Sequence, residues 1–416
     1  MESPITPFTP SFDNAAIADL KRRLELTRYP DEETVEDWSQ GVPLAYVREL
    51  TDYWISQYDM TRVSNTLNRW PNFQTEIEGL DIHFIYQRSP HTHATPLLLT
   101  HGWPGSVLEF RHLIDRLSNP TEHGGSAENA FHVVVPALPG YGFSGKPRAA
   151  GTSVQKIADL WIALMQRLGH TTFLAHGGDW GSLVTQAIAT ASNTPCAGIH
   201  ITLPVVAPDP ETLESLLPEE VQALEAFNFY QDWDSGYSKQ QSTRPQTLGY
   251  GLADSPTGQM AWIIEKYAQW CDCEVNGLRH PENAINRDEL LDTVMLYWLT
   301  NTGASSARLY WESFNYAGDE LLKQVIQDVV IEGRTDFPNC PGVIKSKGQF
   351  LGDREITSKI NAFFGKNNAN IGYKARLMRV NFINQIGIPI ANYCLSIAND
   401  KTNESINSSK TFKELF

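Results

Sequence analysis

The sequence predicts an α/β protein with a mostly parallel sheet and a helical lid inserted between two parts of the core. Between residues 96 and 205, short apolar runs alternate with helix-length segments, which is typical of βαβ units. The runs are continuously apolar, as expected for strands that are covered on both faces. A mainly helical segment rich in Trp and Tyr, residues 206–315, then interrupts this alternation.

Residues 1–95 are predicted to form an N-terminal helical meander. Apolar side chains recur there at three- and four-residue spacing, as at Tyr46, Leu50 and Trp54. Two short alternating segments, Phe73–Ile77 and Ile82–Tyr86, follow the helices. They predict a hairpin that turns at Glu78 and Gly79.

Residues 96–205 are predicted to form the first part of the core. The expected elements alternate along the chain between strands covered on both faces and the helices that cover them. In chain order they are strand Pro96–Leu99, helix Val107–Leu117, strand Phe131–Pro136, helix Val154–Leu168, strand Thr172–Ala175, helix Leu183–Thr190 and strand Ala197–Leu203.

Residues 206–315 are interpreted as a lid over the carboxyl edge of the sheet, where open α/β sheets bind their ligands. Residues 316–416 are assigned to a second part of the core, with an atypical composition. From residue 333 to the end there are 12 Lys and Arg against 6 Asp and Glu, and there is no Trp. This shift marks a boundary in the chain.

The composition excludes several classes of function. A formal charge of −15 without a basic stripe argues against nucleic acids and anionic membranes as partners. No stretch reaches the ~20 apolar residues of a membrane span and no secretory leader is visible, so a cytoplasmic protein is expected. The five Cys are scattered, which favours reduced thiols. There is no phosphate-binding or dinucleotide motif and no metal-ligand cluster, so neither a cofactor nor a metal is predicted.

The clearest catalytic motif is Gly177–Gly181, with the sequence Gly-Gly-Asp-Trp-Gly, between a predicted strand and a predicted helix. It has the form of a nucleophile elbow, whose tight turn projects the central side chain above the sheet. The central residue is Asp179, and a carboxylate attacks an sp³ carbon that carries a leaving group, forming an alkyl ester. The alternative is a Gly-rich turn in which Asp179 only caps the next helix.

A second motif, His101–Ser106, has the sequence His-Gly-Trp-Pro-Gly-Ser and directly follows a predicted strand. We call it the oxyanion loop. It is predicted to place the backbone N–H of Trp103 beside that of Trp180, and two such donors form an oxyanion hole. His101 and the indoles of Trp103 and Trp180 are also candidates for contact with a substrate. For His101 the favoured role is to hold the loop by hydrogen bonds.

These motifs, in this order and spacing, resemble the epoxide hydrolases of the α/β-hydrolase fold, in particular the microsomal and fungal branch. The resemblance extends to Thr27–Pro30, Trp70–Phe73, Ser235–Tyr250 and Val294–Tyr310, and it covers roughly residues 10–315.

Membership of that family implies an epoxide substrate and no cofactor. It also implies that two lid tyrosines donate hydrogen bonds to the epoxide oxygen, and the matching positions are Tyr237 and Tyr310. A phenol suits this task because its pKa of about 10 lets it protonate a developing alkoxide.

The family also uses a His, oriented by an acid, to activate water against the ester. No matching segment is present, because all eleven His lie at or before His280. The position that matches the acid is Cys340. Three explanations are open: an error in the gene model beyond about residue 340, a substitute base, or loss of turnover. Asp209, Asp336 and Asp353 are candidates for a substitute acid.

The leading hypothesis is hydrolysis of an epoxide to a vicinal diol through an ester of Asp179. The substrate is either a xenobiotic or an intermediate of secondary metabolism. A non-catalytic binding protein with the same pocket is the alternative. A haloalkane dehalogenase, which also uses an Asp elbow, is disfavoured because it would need halide-binding indole or amide N–H groups in place of the paired lid tyrosines. The oligomeric state is open, with the N-terminal meander as the surface for a homodimer.

Overall fold

The structure is a computed structural model that describes residues 3–192, 194–203, 218–316, 332–334 and 343–345. The strands within these residues are β1 (Thr6–Phe8), β2 (Asn72–Ile77), β3 (Leu80–Gln87), β4 (Thr95–Thr100), β5 (Phe131–Pro136), β6 (Phe173–Gly177), β7 (Cys196–Ile201), β8 (Glu274–Val275), β9 (Leu278–Arg279), β10 (Glu332–Arg334) and β11 (Val343–Lys345).

One sheet joins nine of these strands in the order β1-β2-β3-β5-β4-β6-β7-β11-β10. At its centre β5 pairs with β4, β4 with β6 and β6 with β7, all in parallel. The strands on either side pair antiparallel. Because parallel strands end at the same edge of a sheet, the loops after β4 and β6 meet there.

Helices cover the sheet and build the lid. The α-helices of the described residues are α1 (Asn14–Glu25), α2 (Leu44–Ser56), α3 (Arg62–Leu67), α4 (Ile114–Ser118), α5 (Val154–Arg167), α6 (Trp180–Thr190), α7 (Pro218–Phe229), α8 (Gly236–Thr243), α9 (Pro245–Asp254), α10 (Pro256–Trp270), α11 (Arg287–Leu299) and α12 (Gly303–Trp311). Short 3₁₀ turns lie at Val107–Phe110, Pro120–His123, Ala127–Asn129 and Pro281–Asn283, and π turns lie at Tyr230–Asp234 and Glu312–Tyr316.

The predicted α/β architecture is confirmed, and β5 has the predicted bounds. The hairpin is also confirmed, since Glu78 and Gly79 adopt φ angles of 51° and 80° between β2 and β3. The single helix predicted over Val107–Leu117 is wrong. The segment divides into a 3₁₀ turn and α4, and at the division Arg111 and His112 bond to carboxylates of α11. These contacts with a distant helix override the local periodicity.

The N-terminal residues contribute to both the sheet and the lid. Strands β1, β2 and β3 extend the central sheet, while helices α1 and α2 contact α10 and helix α3 contacts α11. The aromatic segment is helical as predicted, because α7 to α12 occupy most of it. No helix in the described part of the chain is both long and apolar enough to cross a membrane.

Several sequence predictions fall outside the described residues. Of the second core part predicted over 316–416, only residue 316 and the short strands β10 and β11 are described. The positions Asp209, Asp336, Cys340 and Asp353 all lie outside the described residues.

Candidate active site

Asp179 lies on a sharp turn between β6 and α6. Its backbone has φ 50° and ψ −127°, a conformation that residues with side chains rarely adopt. The turn is compact because a Cβ at Gly177 would collide with the carbonyl oxygen of Gly181, and one at Gly181 would collide with that of Thr100. Asp179 occupies the N-cap position of α6, but its side chain makes no capping hydrogen bond. The strained turn therefore presents the carboxylate instead of capping the helix.

Two backbone donors hold the Asp179 carboxylate. The N–H of Trp103 donates to Oδ1 of Asp179 at 2.9 Å, and the N–H of Trp180 also hydrogen-bonds to this carboxylate. Burial raises the pKa of Asp179 to about 6, while the two N–H donors act in the opposite direction. The two N–H groups thus bind the carboxylate that the turn presents.

The predicted tyrosines and tryptophans enclose this carboxylate. The ring centroids of Tyr237 and Tyr310 are 5.9 Å apart, and Trp103 stacks on Tyr237 with centroids 5.2 Å apart. Trp180 meets the ring of Tyr310 edge-on at 4.7 Å. All four side chains are at least nine-tenths buried. The structure therefore brings together the five residues that the two motifs and the family resemblance identify.

The two phenols differ in their hydrogen bonds. The hydroxyl of Tyr237 lies 3.1 Å from that of Tyr230. The buried hydroxyl of Tyr310 makes no hydrogen bond of ordinary geometry with the described residues, but the indole N–H of Trp180 lies close enough to act on it as a donor. Burial raises the pKa of both Tyr237 and Tyr310 well above the usual range, and the charge of Asp179 adds to this effect. Both phenols therefore keep their protons at neutral pH and can donate to a bound oxygen.

His101 supports the oxyanion loop. Its Nδ1 lies 3.0 Å from the carbonyl oxygen of Gly102, and its Nε2 accepts the backbone N–H of Leu138 at 3.2 Å. The ring is fully buried, and burial lowers the pKa of His101 to about 4. Since main-chain groups engage both ring nitrogens, the geometry favours the holding role of His101 over direct polar contact with a substrate.

A buried cation beneath Tyr237 was not identified from the sequence. The ammonium of Lys266 lies 4.7 Å from the ring centroid of Tyr237 and 5.5 Å from that of Trp270. It pairs with Asp234 at 3.2 Å, and Asp234 also accepts the indole N–H of Trp270 at 3.1 Å. The available signal was the spacing of Lys266 and Trp270, which are four residues apart and so share one face of a helix.

A second carboxyl beside Asp179 was also missed. Glu109 lies on the 3₁₀ turn after the oxyanion loop, and its carboxyl accepts a hydrogen bond from the backbone of Gly102. Burial raises the pKa of Glu109 well above its usual range, and the charge of Asp179 raises it further. The signal in the sequence was one acidic residue within the otherwise apolar run Val107–Phe110.

Comparisons with known families agree with this geometry. A family model described as "Epoxide hydrolase N terminus" matches residues 5–110. A second model, described as "alpha/beta hydrolase fold", matches residues 95–247. The two matches together include β1 to β7, the oxyanion loop and the elbow.

Individual relatives match over most of the chain. A protein of Stigmatella aurantiaca named "Putative epoxide hydrolase" is 53% identical over 76% of this chain and 72% of its own length. "Epoxide hydrolase 1" of Sus scrofa is 35% identical over 81% of this chain and 80% of its own. The solved structure of the Aspergillus niger epoxide hydrolase superposes with a TM-score of 0.68 at 30% identity, covering 78% of this chain and 81% of that one.

Proposed function

The chain belongs to the epoxide hydrolase family of the α/β-hydrolase fold, and from that premise we propose that it hydrolyses an epoxide to a vicinal diol through an ester of Asp179. One observation supports the proposal most strongly. Asp179 lies on a strained turn, with its carboxylate bound by two backbone N–H groups, among aromatic residues that include the phenols of Tyr237 and Tyr310.

In the first step, the free carboxylate oxygen of Asp179 attacks a ring carbon of the epoxide. The carbon–oxygen bond of the ring breaks, and negative charge develops on the ring oxygen. Tyr237 and Tyr310 donate hydrogen bonds to that oxygen and so stabilise the charge as it forms. The strain of the three-membered ring makes the oxygen a sufficient leaving group for a carboxylate nucleophile.

In the second step, water attacks the carbonyl carbon of the Asp179 ester. The carbonyl oxygen is the Oδ1 atom that the Trp103 N–H already binds, and the negative charge of the tetrahedral intermediate develops there. Collapse of this intermediate breaks the ester bond to the diol and returns Asp179 as a carboxylate. This step requires a base to accept a proton from the attacking water.

The substrate is proposed to be a predominantly apolar epoxide, of xenobiotic or secondary-metabolic origin. Trp103, Trp180, Tyr237 and Tyr310 surround Asp179 with aromatic surface. Such a site binds the carbon skeleton by burial of apolar surface and leaves the ring oxygen for the two hydroxyls.

Styrene oxide tests the proposed nucleophile. We expect intact-protein mass spectrometry to detect an adduct of one substrate mass, and peptide mapping to place it on Asp179. Asp179→Asn is expected to lose both the adduct and diol release by at least about 10⁴-fold, because the amide is a far weaker nucleophile. The exposed Asp159→Asn on α5 serves as the control and should react like the parent protein. An unchanged rate of diol release by Asp179→Asn would refute the proposal.

A further inference from the structure

The oxyanion loop holds two carboxyl groups on consecutive backbone donors. A Cβ at Gly102 would come within 2.7 Å of the carboxyl carbon of Asp179. Oε1 of Glu109 occupies the space that a Cβ at Gly105 would need. The backbone of Gly102 hydrogen-bonds to Glu109, and the N–H of Trp103 donates to Asp179. Each carboxyl therefore fits against a glycine of the same loop, and the charge of Asp179 acts on Glu109 through space.

Asp179 and Glu109 are both enclosed by protein, yet neither residue is fully shielded from water. Among the described residues, neither Asp179 nor Glu109 forms an ion pair. Arg111 acts on Glu109 only from a distance, since its guanidinium binds Asp292 at 2.9 Å. Two carboxyls that share a site without a cation do not both ionise readily, so one of them holds a proton.

Phenols complete the surroundings of Glu109. The charge of Glu109 acts on Tyr141, Tyr267 and Tyr297, and burial raises the pKa of all three phenols. Tyr297 also donates to the carbonyl oxygen of Gly105 at 2.8 Å and so fixes the peptide against which Glu109 lies. Since these phenols remain protonated at neutral pH, Glu109 and Asp179 are the two groups at this loop that can exchange a proton.

We propose that Glu109 is the general base that activates water against the Asp179 ester. This inference rests on the proposed function, because it requires the ester to form. It assigns a base to a chain whose eleven His all precede residue 281, outside the C-terminal segment that carries the catalytic His in the family.

The charge on the two carboxyls alternates through the cycle. Before reaction Asp179 is ionised and Glu109 is protonated. When Asp179 attacks, it becomes a neutral ester, and its negative charge passes to the ring oxygen, which becomes an alkoxide. The proton of Glu109 passes through water to that alkoxide, which yields a hydroxyl and a Glu109 carboxylate. Loss of the neighbouring charge on Asp179 favours this ionisation.

Hydrolysis then restores the starting state. Glu109 takes a proton from water as the water oxygen bonds to the ester carbonyl carbon of Asp179. The tetrahedral intermediate collapses, the ester bond to the diol breaks, and the leaving oxygen takes the proton of the newly formed Asp179 carboxyl. Asp179 is again a carboxylate, Glu109 again holds a proton, and the net reaction is epoxide plus water to diol.

Glu109→Gln separates the two half-reactions. The amide has nearly the same shape and keeps an oxygen for the Gly102 backbone, but it does not accept a proton. With excess styrene oxide, quenched samples should still show ring opening, because Tyr237 and Tyr310 stabilise the alkoxide until bulk water supplies its proton. The ester should then accumulate, with its hydrolysis slowed at least about 100-fold. Glu109→Asp, which keeps a carboxyl, should hydrolyse the ester faster than Glu109→Gln.

Glu312→Gln is the matched control, because Glu312 is a buried glutamate that likewise accepts a backbone N–H, from Gly151 at 2.8 Å. It should release diol at the parental rate. In the parent protein the rate of ester hydrolysis should rise with pH to a plateau as Glu109 ionises, and in Glu109→Gln it should not.

Three results would overturn the role of Glu109. They are hydrolysis of the ester at the parental rate by Glu109→Gln, absence of any ester in that variant, and a parent protein that forms the ester once and stalls. The last result would leave the Asp179 nucleophile intact. A parent protein that neither forms an ester nor releases diol would instead contradict the proposed function itself.

Discussion

Two pairs of acidic residues enclosed by this protein differ in whether cations neutralise their charge. In the first pair, Asp179 and Glu109 receive backbone hydrogen bonds and make no ion pair among the described residues. In the second pair, on α11, Asp292 binds Arg62 at 3.0 Å and Arg111 at 2.9 Å.

The α11 pair is neutralised further by its surroundings. Asp292 also accepts the hydroxyl of Tyr58 at 2.8 Å, and Glu289 lies 3.0 Å from Nε2 of His112. Burial acts to raise the pKa of Glu289, but His112 and Arg111 outweigh it, so the net pKa is lowered. These bonds join the N-terminal region and the turn before α4 to the lid helix α11.

The contrast separates a structural use of acidic residues from the proposed chemical one. Burying a carboxylate costs free energy, and the cations beside the α11 pair offset part of that cost, since the pKa of Glu289 is lowered although burial still raises that of Asp292. At the elbow the cost is left uncompensated, so the pKa of Asp179 rises to about 6 and that of Glu109 rises as well. Carboxyls kept in this state are available for attack and proton transfer.

The largest expected effect lies in the α11 pair. Asp292→Asn removes the fully buried carboxylate that binds both Arg62 and Arg111, and leaves the largely buried Arg111 against a neutral amide. It should lower the free energy of unfolding by about 3–5 kcal/mol. Chemical denaturation monitored by Trp fluorescence measures this change. Asp288→Asn, one turn earlier on α11, is the control, because its pair with Arg62 is longer, at 3.7 Å, and more exposed. It should cost at most about 1 kcal/mol, and equal losses for the two variants would remove the distinction.

Asp179→Asn, unlike Asp292→Asn, should raise the free energy of unfolding. Folding raises the pKa of this carboxyl from 3.8 to about 6, so the folded protein holds the proton more tightly than the unfolded chain does. The stability that this proton contributes is present below about pH 4 and is lost as the pH rises to about 6. An Asn at this position does not ionise. At pH 8 the variant should therefore be more stable than the parent by roughly 3 kcal/mol, and the difference should disappear below about pH 4. Parallel denaturation curves across this pH range provide the measurement, and a loss of stability at pH 8 would contradict the uncompensated charge.

Some parts of the molecule were predictable from local patterns in the sequence. The strands β4 to β7 and the elbow depend on local signals, namely continuous apolar runs and glycines at fixed spacing around Asp179. Such signals survive in a single sequence because each depends on residues close together in the chain. The tyrosines were located by family resemblance, since an isolated tyrosine carries no local signal of catalysis.

The break in the predicted helix, the pairing of Lys266 and the position of Glu109 depend on contacts between distant parts of the chain. Arg111 and Asp292 are 181 residues apart, and their bond accompanies the break in the helix predicted at Val107–Leu117. Lys266 and Asp234 are 32 residues apart. Glu109 is close to the oxyanion loop in sequence, but its proximity to Asp179 follows only from the meeting of the β4 and β6 loops. Buried charge is therefore the feature that sequence patterns predicted least well.

Removing the hydroxyl of Tyr310 tests whether attack by the Asp179 carboxylate depends on a hydrogen-bond donor that is in place before the reaction. Tyr310→Phe deletes one of the two proposed donors and should slow formation of the Asp179 ester by about 100-fold, as loss of one oxyanion donor does elsewhere. Rapid-quench mass spectrometry measures that rate. Tyr230→Phe is the matched control, because its hydroxyl contacts Tyr237 and not the proposed position of the epoxide oxygen. A rate for Tyr310→Phe equal to that of Tyr230→Phe would exclude the proposed donor.

The smallest expected effect concerns Lys266, a buried cation that lies in the catalytic region without neutralising Asp179. Its ammonium lies over the ring of Tyr237 and draws electron density from the phenol, which makes the hydroxyl a better donor. Lys266→Gln should therefore slow ester formation about two- to fivefold, as expected for a cation–π contribution of about 0.5–1 kcal/mol. Arg287→Gln provides the control, since Arg287 lies over the ring of Tyr53 and also pairs with two glutamates. If both variants slow ester formation equally, the effect of Lys266 is a general loss of stability; if only Lys266→Gln does, the cation acts on the reaction through Tyr237.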